Sequence, residues 1–247
     1  MVPDDPDVPQ LTVEGVRNAA GFGSGPIAPG MIVSLFGKNL GDATAFASSL
    51  PLPDSLGGTR VWFNLDAAPL FYAAGGQLNA QVLPDLSASD CQIVITRSGV
   101  PGLPITVPLS SYSPGIFTQD DGEPVIVNYA TGRLVGPREP ARPGDILIVY
   151  ANGLGPVSVP VKAGTAAPVN PLSTATAPVT GRLANARVTP MYAGLAPGFV
   201  GVFQVNIQIP SDVPTGTAAL IFEVAGASSN SVAVAIQRPL MPNNQLP

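Results

Sequence analysis

One 14-residue pattern occurs twice in this chain, and that duplication constrains the fold more than any other feature. Ala28-Pro29-Gly30-Met31-Ile32-Val33-Ser34-Leu35-Phe36-Gly37-Lys38-Asn39-Leu40-Gly41 aligns without a gap on Arg142-Pro143-Gly144-Asp145-Ile146-Leu147-Ile148-Val149-Tyr150-Ala151-Asn152-Gly153-Leu154-Gly155, with five identical positions. Further on, Tyr72-Ala73 answers Tyr192-Ala193, and Gln77-Leu78-Asn79-Ala80-Gln81 answers Gln204-Val205-Asn206-Ile207-Gln208, in the same order. The second copy holds seven more residues between its Tyr-Ala and its first Gln, which is room for a longer loop. Two copies of about 100 residues each match the size of an immunoglobulin-like sandwich. The copies are placed at 11–118 and 140–238, joined by a connector at 119–139 with a hairpin around Thr131-Gly132. Residues 1–10 form a Pro-rich N-terminal tail and 239–247 a C-terminal tail.

Inside each copy the hydrophobic period is two. In Phe203-Gln204-Val205-Asn206-Ile207-Gln208-Ile209 apolar and polar residues alternate strictly, the pattern of a strand with one dry and one wet face. Strands are also expected over 31–36, 60–65, 91–97, 105–109, 124–128, 145–150, 219–224 and 231–237. Between them stand Pro29-Gly30, Gly57-Gly58, Gly75-Gly76, Asp121-Gly122, Pro143-Gly144 and Pro214-Thr215-Gly216, all turn signals. The 29 Pro and 27 Gly, nearly a quarter of 247 residues, approach the level at which disorder becomes the default. A hydrophobic content of 45% is enough to fill real cores, so these residues act as punctuation. The expected fold class is all-β, two tandem immunoglobulin-like β-sandwiches.

Composition excludes several functions. With no His, Ser-His-Asp and Cys-His catalysis and histidine zinc centres are absent. One Cys, Cys91, allows neither an intrachain disulfide nor a cysteine metal cluster. A net charge of −5 argues against a nucleic-acid surface. The longest uncharged stretch, Val188 to Ser211, is interrupted by Pro190, Pro197 and Pro210 and does not suit a membrane span. Met1-Val2-Pro3-Asp4-Asp5 has no signal-peptide character, so a leader is expected to have been removed, or the chain is a piece of a longer one. A cysteine-poor, lysine-poor chain rich in Pro, Gly, Thr, Ser and Val suits an extracellular or cell-surface bacterial protein.

Pro29-Gly30 followed by an alternating strand and Gly37-Lys38-Asn39-Leu40-Gly41 resembles the opening of IPT/TIG domains, which are immunoglobulin-like sandwiches. Five features together resemble the Solibacter-type uncharacterised C-terminal domain family. They are Val16-Arg17-Asn18-Ala19-Ala20, Pro29 to Gly41, Gly76-Gln77-Leu78-Asn79-Ala80-Gln81-Val82, Ser113-Pro114-Gly115-Ile116-Phe117, and Tyr192 to Gly201 running on to Gln204-Val205-Asn206. The resemblance covers about residues 11–238. It implies a module at the C-terminus of a large secreted or surface protein, and it implies no activity.

The candidate interaction surface is the pair of amide rows. Alternation puts Gln77, Asn79 and Gln81 on one strand face, and Gln204, Asn206 and Gln208 on another. Uncharged amides can bind sugar hydroxyls, a peptide strand or the neighbouring copy, and they can equally tie loops together. Their recurrence in both copies favours the structural role. Asp120, Asp121 and Glu123 around Gly122 offer oxygen atoms of the kind calcium uses, although Asp-Gly is also an ordinary hairpin turn. Trp62, between Val61 and Phe63, is expected in the core, with sugar stacking as the other role. No catalytic residue, cofactor or metal is assigned. The expected function is that of a non-catalytic extracellular structural or interaction module. Its partner would be another protein or a second copy, met through strand edges and the tails; the alternative is a carbohydrate-binding accessory module for a polysaccharide.

Overall fold

A computed structural model of the chain describes residues 7–237, which form twenty strands and no helix; among them no helix is long and apolar enough to cross a membrane. The first sandwich comprises β1 (Gln10–Asn18), β2 (Ile32–Lys38), β3 (Ala45–Phe46), β4 (Thr59–Phe63), β5 (Asp66–Ala67), β6 (Leu70–Ala73), β7 (Gln77–Gln81), β8 (Asp90–Arg97), β9 (Val100–Pro101) and β10 (Ile105–Pro108). The second comprises β11 (Gly115–Ile116), β12 (Ile126–Asn128), β13 (Ile146–Asn152), β14 (Val179–Leu183), β15 (Ala186–Val188), β16 (Tyr192–Leu195), β17 (Phe203–Gln208), β18 (Gly216–Val224), β19 (Ala227–Ser228) and β20 (Val232–Ile236). The protein is all-β, built of two immunoglobulin-like sandwiches in tandem.

Each sandwich packs two antiparallel sheets face to face. In the first, the sheet ordered β1-β2-β7-β6-β3 faces β10-β8-β4-β5; in the second, β11-β13-β17-β16 with β12 beside β13 faces β15-β14-β18 with β20. The inward members of each alternating strand fill the space between. Val33, Leu35, Phe63, Leu78 and Ile93 belong to one core, Leu147, Val149, Leu183, Val205 and Leu220 to the other, and the two cores share no residue.

The duplication extends from strand to strand in register. Ile32 pairs with Gln81 as Ile146 pairs with Gln208, and Ser34 with Asn79 as Ile148 with Asn206. Tyr72 lies opposite Asn79 and Tyr192 opposite Asn206. Phe63 pairs with Ile93 as Leu183 pairs with Leu220. The Pro-Gly turns recur with their geometry intact. Gly30 and Gly144 take φ of 77° and 89°, a region where a side chain is strained and glycine is not.

Three expectations are corrected. The segment 119–139 is no connector, because Ile126 and Val135 lie in the second core and Ile126–Asn128 pair with Val149–Leu147. Gly115 and Ile116 pair with Asn152 and Ala151, so the second sandwich begins before residue 118. Together β11 and β12 repeat β1: Leu11 pairs with Gly37 and Asn18 with Val33, as Ile116 pairs with Ala151 and Asn128 with Leu147. The second correction concerns Gln10, which is paired with Lys38 in β1 and is no part of a free tail. The third is Trp62, which lies half-buried on the outer face of β4 while its neighbours Val61 and Phe63 enter the core. Residues 1–6 and 238–247, which carry most of the two expected tails, lie outside the described residues.

Candidate functional site

The amide rows stand on the outer faces of β7 and β17, and both copies make the same two bonds there. Gln77 Nε2 donates to Asn79 Oδ1 at 3.0 Å and Gln204 Nε2 to Asn206 Oδ1 at 2.9 Å. Gln81 Nε2 donates to Gly30 O at 3.2 Å and Gln208 Nε2 to Gly144 O at 3.1 Å. Each row therefore fastens its own Pro-Gly turn to the strand beside it. These bonds occupy part of the hydrogen-bonding capacity that a ligand would use.

The environments of the two rows differ at one end, where Gln81 is buried and Gln208 exposed. In the first sandwich the end of β2 and β7 at Ile32 and Gln81 carries the second sandwich, leaving Ile32 7% and Gln81 5% exposed. Gln81 Oε1 accepts the Gly164 N–H at 2.7 Å, and the Gly164 carbonyl accepts the Leu52 N–H at 2.8 Å. The loop around Gly201 also lies on this face. A β-carbon at Gly201, which has a φ of 66°, would stand 3.1 Å from Gln81 Nε2, Gly30 O and Ile32 Cγ1.

At the centre of the junction is Asn152, which is fully buried. Its Oδ1 accepts the Ile32 N–H at 3.0 Å, and its Nδ2 donates to Ile32 O at 2.7 Å and to Asn18 Oδ1 at 2.9 Å. The amide thus acts as a one-residue extension of β2's ladder. Asn18 Nδ2 completes the network by donating to Ser113 O at 2.8 Å. Among the described residues no buried side-chain nitrogen or oxygen lacks a partner, so the junction meets the satisfaction a buried polar network requires. Beside it is an apolar cleft of about 340 Å³, lined by residues of both sandwiches such as Pro29, Leu86, Leu109, Val161, Leu195 and Phe203.

On the second sandwich the equivalent end is open. Gln208 is exposed, and Ile146, Ile148, Tyr150, Gln204 and Asn206 are half-buried. The Phe199 ring lies 5.9 Å from that of Tyr150 and is itself 51% exposed. β13 reads Ile-Leu-Ile-Val-Tyr-Ala, apolar on both faces, as strands covered on both sides do. This surface carries amides and apolar groups with no charge at its centre.

The remaining candidates are dispersed. Asp120, Asp121 and Glu123 sit at an exposed hairpin tip, where the Glu123 N–H bonds to Asp121 Oδ1 at 3.1 Å and the Gly122 N–H to Gln119 O at 2.9 Å. That is turn chemistry. Among the described residues no group of three or more Asp, Glu or Cys is placed to hold a metal ion. Trp62 Nε1 donates to Thr96 Oγ1 at 3.2 Å, and the Arg60 guanidinium lies 6.0 Å from the ring centre. Cys91 is buried, and burial pushes its thiol above the ordinary range, with Asp90 adding to the rise against a backbone contact at Asn64.

No protein-family model matches the chain, and no curated protein sequence matches it. Solved structures of comparable build include the SGBP-B protein of the Bacteroides ovatus mixed-linkage glucan utilization locus, in complex with a mixed-linkage heptasaccharide. It is 11% identical with a TM-score of 0.38, over 96% of this chain and 48% of that one. SGBP-B from a complex xyloglucan utilization locus of Bacteroides uniformis is 12% identical with a TM-score of 0.30, over 92% and 49%. The tandem immunoglobulin domains A164–A165 of titin are 9% identical with a TM-score of 0.25, over 94% and 98%. The chain thus spans about half the length of the two SGBP-B proteins. The scores are low, and the fold class rests on the strands, registers and cores described above.

Proposed function

We propose that this chain is a non-catalytic, extracellular interaction module whose two sandwiches form one rigid unit. The observation that carries this reading is the fate of the duplicated amide face. In the first sandwich its Gln81 end is taken up by a fully satisfied junction centred on Asn152. In the second the same end is left open at Gln208, beside a strand that is apolar on both faces. The dispersal of the carboxylates and the lack of His support a binding role over a catalytic one. The resemblance carried by Val16 to Ala20, Pro29 to Gly41 and Tyr192 to Gly201 fits a part of a larger secreted or surface protein.

Two measurements test the reading. Small-angle scattering of the full chain is expected to fit one rigid body at low and high salt; a spread of inter-sandwich distances would overturn rigidity. Labelling of intact cells with a membrane-impermeant reagent is expected to reach the protein, and labelling only after lysis would overturn the extracellular assignment.

A second reading has its own observation. Trp62 stands on an outer sheet face with Arg60 and Thr96 around it, an arrangement able to stack on a sugar ring. A glycan array is expected to show binding lost in Trp62→Ala if this face is used. No signal above background on any polysaccharide removes the carbohydrate reading and leaves the protein-interaction one.

A further inference from the structure

The junction between the sandwiches has a seat and a rider, and the duplication places a second, unused seat and rider on the same chain. The occupied seat is Asn18 with the backbone of Ile32, and its rider is Asn152. Position for position, the second sandwich offers Asn128 and Ile146, and the first offers Lys38. The registers fix this correspondence. Asn18 pairs with Val33 and Asn128 with Leu147, while Gln10 pairs with Lys38 and Gly115 with Asn152. Local bonding repeats too. Asn18 Oδ1 accepts the Ala20 N–H and Asn128 Oδ1 the Ala130 N–H, at 2.9 and 3.0 Å. The Ala19 N–H bonds to Ile32 O as the Tyr129 N–H bonds to Ile146 O.

Against this background two positions have changed character. At the base of the seat, Met31 Sδ accepts the Ala28 N–H at 2.9 Å. In the second sandwich that place belongs to Asp145, whose Oδ2 accepts the Arg142 N–H at 2.9 Å and the Asn128 Nδ2–H at 2.8 Å. On the rider, the neutral Asn152 is matched by Lys38. The occupied pair is therefore neutral on neutral, whereas the unoccupied pair sets a carboxylate beneath the seat and an ammonium on the rider. Lys38 is exposed and pairs with no carboxylate among the described residues. A lysine in the position of Asn152 would direct its donors at Asn128 Oδ1 and Ile146 O, the acceptors its counterpart uses. Its longer stem would carry the charge on to Asp145, which is bonded to the same Asn128. Complementary charge of this kind sets register and partner choice between surfaces.

We propose that copies of this chain associate head to tail, the Lys38 end of one copy's first sandwich seating on the Asn128–Ile146 corner of another's second sandwich. This deepens the interaction-module reading by naming its partner as a second copy of the chain. The contact is heterologous, so repetition yields open filaments, or rings where the rotation closes. The uncharged flank formed by Ile148 and Tyr150 adds apolar cover without like-charge repulsion between copies.

Sedimentation velocity of the full chain over a concentration series tests the proposal, using Lys38→Glu to disable the rider and Gln208→Arg to disable the seat. Both positions are exposed, and circular dichroism melting verifies folding. The wild type is expected to grow in size with concentration and to shrink with added salt. Each variant alone is expected to be monomeric, its dissociation constant raised about tenfold or more. An equimolar mixture is expected to give a dimer with one of each variant and nothing larger, since only one good seat and one good rider remain. Loss of association in Gln208→Arg but not in Lys38→Glu would overturn the proposal in favour of face-to-face pairing. A wild type monomeric at every concentration would overturn it as well while leaving the rigid-module reading standing, because that reading falls on the scattering profile instead.

Discussion

Replacing Asn152 by Ala is the most direct challenge to the account of how the two sandwiches are held. The side chain makes three hydrogen bonds in a fully buried position, two of them to one residue, Ile32. Ile32 O keeps a second donor in the Ala19 N–H, so its loss is partial. The Ile32 N–H depends on Asn152 Oδ1, and leaving it unsatisfied costs about 1–3 kcal/mol. The two donated bonds add about 1 kcal/mol each. The expected penalty is therefore about 3–5 kcal/mol, large for a single substitution. It should fall on the coupling between sandwiches, since Asn152 belongs to neither hydrophobic core. The assay is urea unfolding followed by the fluorescence of Trp62, in the first sandwich, and by circular dichroism, which sees both. In the wild type the probes should coincide in one transition; in Asn152→Ala they should separate. Gln208→Ala is the control, because it removes a chemically similar bond at an exposed position and should cost no more than about 0.5 kcal/mol. If Asn152→Ala unfolds with coincident probes and a loss below about 1 kcal/mol, the junction is not held by this amide and the argument fails.

The other expectations are simpler to measure. Phe63→Ala, at a fully buried site, should lose about 3–5 kcal/mol, whereas Trp62→Ala on the outer face should lose about 1 kcal/mol or less in chemical denaturation; equal losses would return Trp62 to the core. Gly201→Ala should strain the junction, since its added carbon meets Gln81, Gly30 and Ile32 at 3.1 Å with φ of 66°, and a melting temperature lower than that of Gly198→Ala would register it, because the Gly198 position is open. The buried Cys91 thiol, pushed up by desolvation, should resist a thiol-specific disulfide reagent in the native protein and react on unfolding. Burial also raises Tyr192 above its usual 10.0, while its hydroxyl donates to Leu195 O at 2.8 Å. The unfolded chain then loses that proton first, so this contribution is complete below about pH 10 and declines as pH rises through the folded value. An ultraviolet titration showing all tyrosines ionising together would contradict it.

Much of the fold was legible because backbone geometry imposes the signals used. Glycine is favoured where φ is positive, so Pro29-Gly30 and Pro143-Gly144 marked equivalent turns. Half-buried strands must alternate, so β17 was visible in its sequence alone. A strand over 124–128 is expected from the sequence, but its place in the second sandwich is hidden because Ile116 and Ile126 stand further apart in the chain than Leu11 and Val16. A usable trace existed in Asn18-Ala19-Ala20 and Asn128-Tyr129-Ala130, where one Asn caps the same turn in both copies. Trp62 misled for a different reason. Residue type suggested the core, while the alternation of Thr59, Val61 and Phe63 inward already assigned it to the other face.

Repetition also explains why the candidate site was only half readable. A search for recurring residues finds what both copies need for folding, and that is how the amide rows proved to be used, with matching bonds to Gly30 and Gly144. On the side that presents the junction the residues do recur, Asn18, Ile32 and Gln81 as Asn128, Ile146 and Gln208, whereas the covering residue Asn152 does not. Asn152 is opposite Lys38 in the alignment, and Asp145 is opposite Met31. Function in a duplicated scaffold should therefore be sought where aligned positions differ in charge or burial while their backbone partners stay the same. By that criterion Lys38, Asn152, Met31 and Asp145 carry more information than the six amides, since each departs from its counterpart at a point where the surrounding ladder does not.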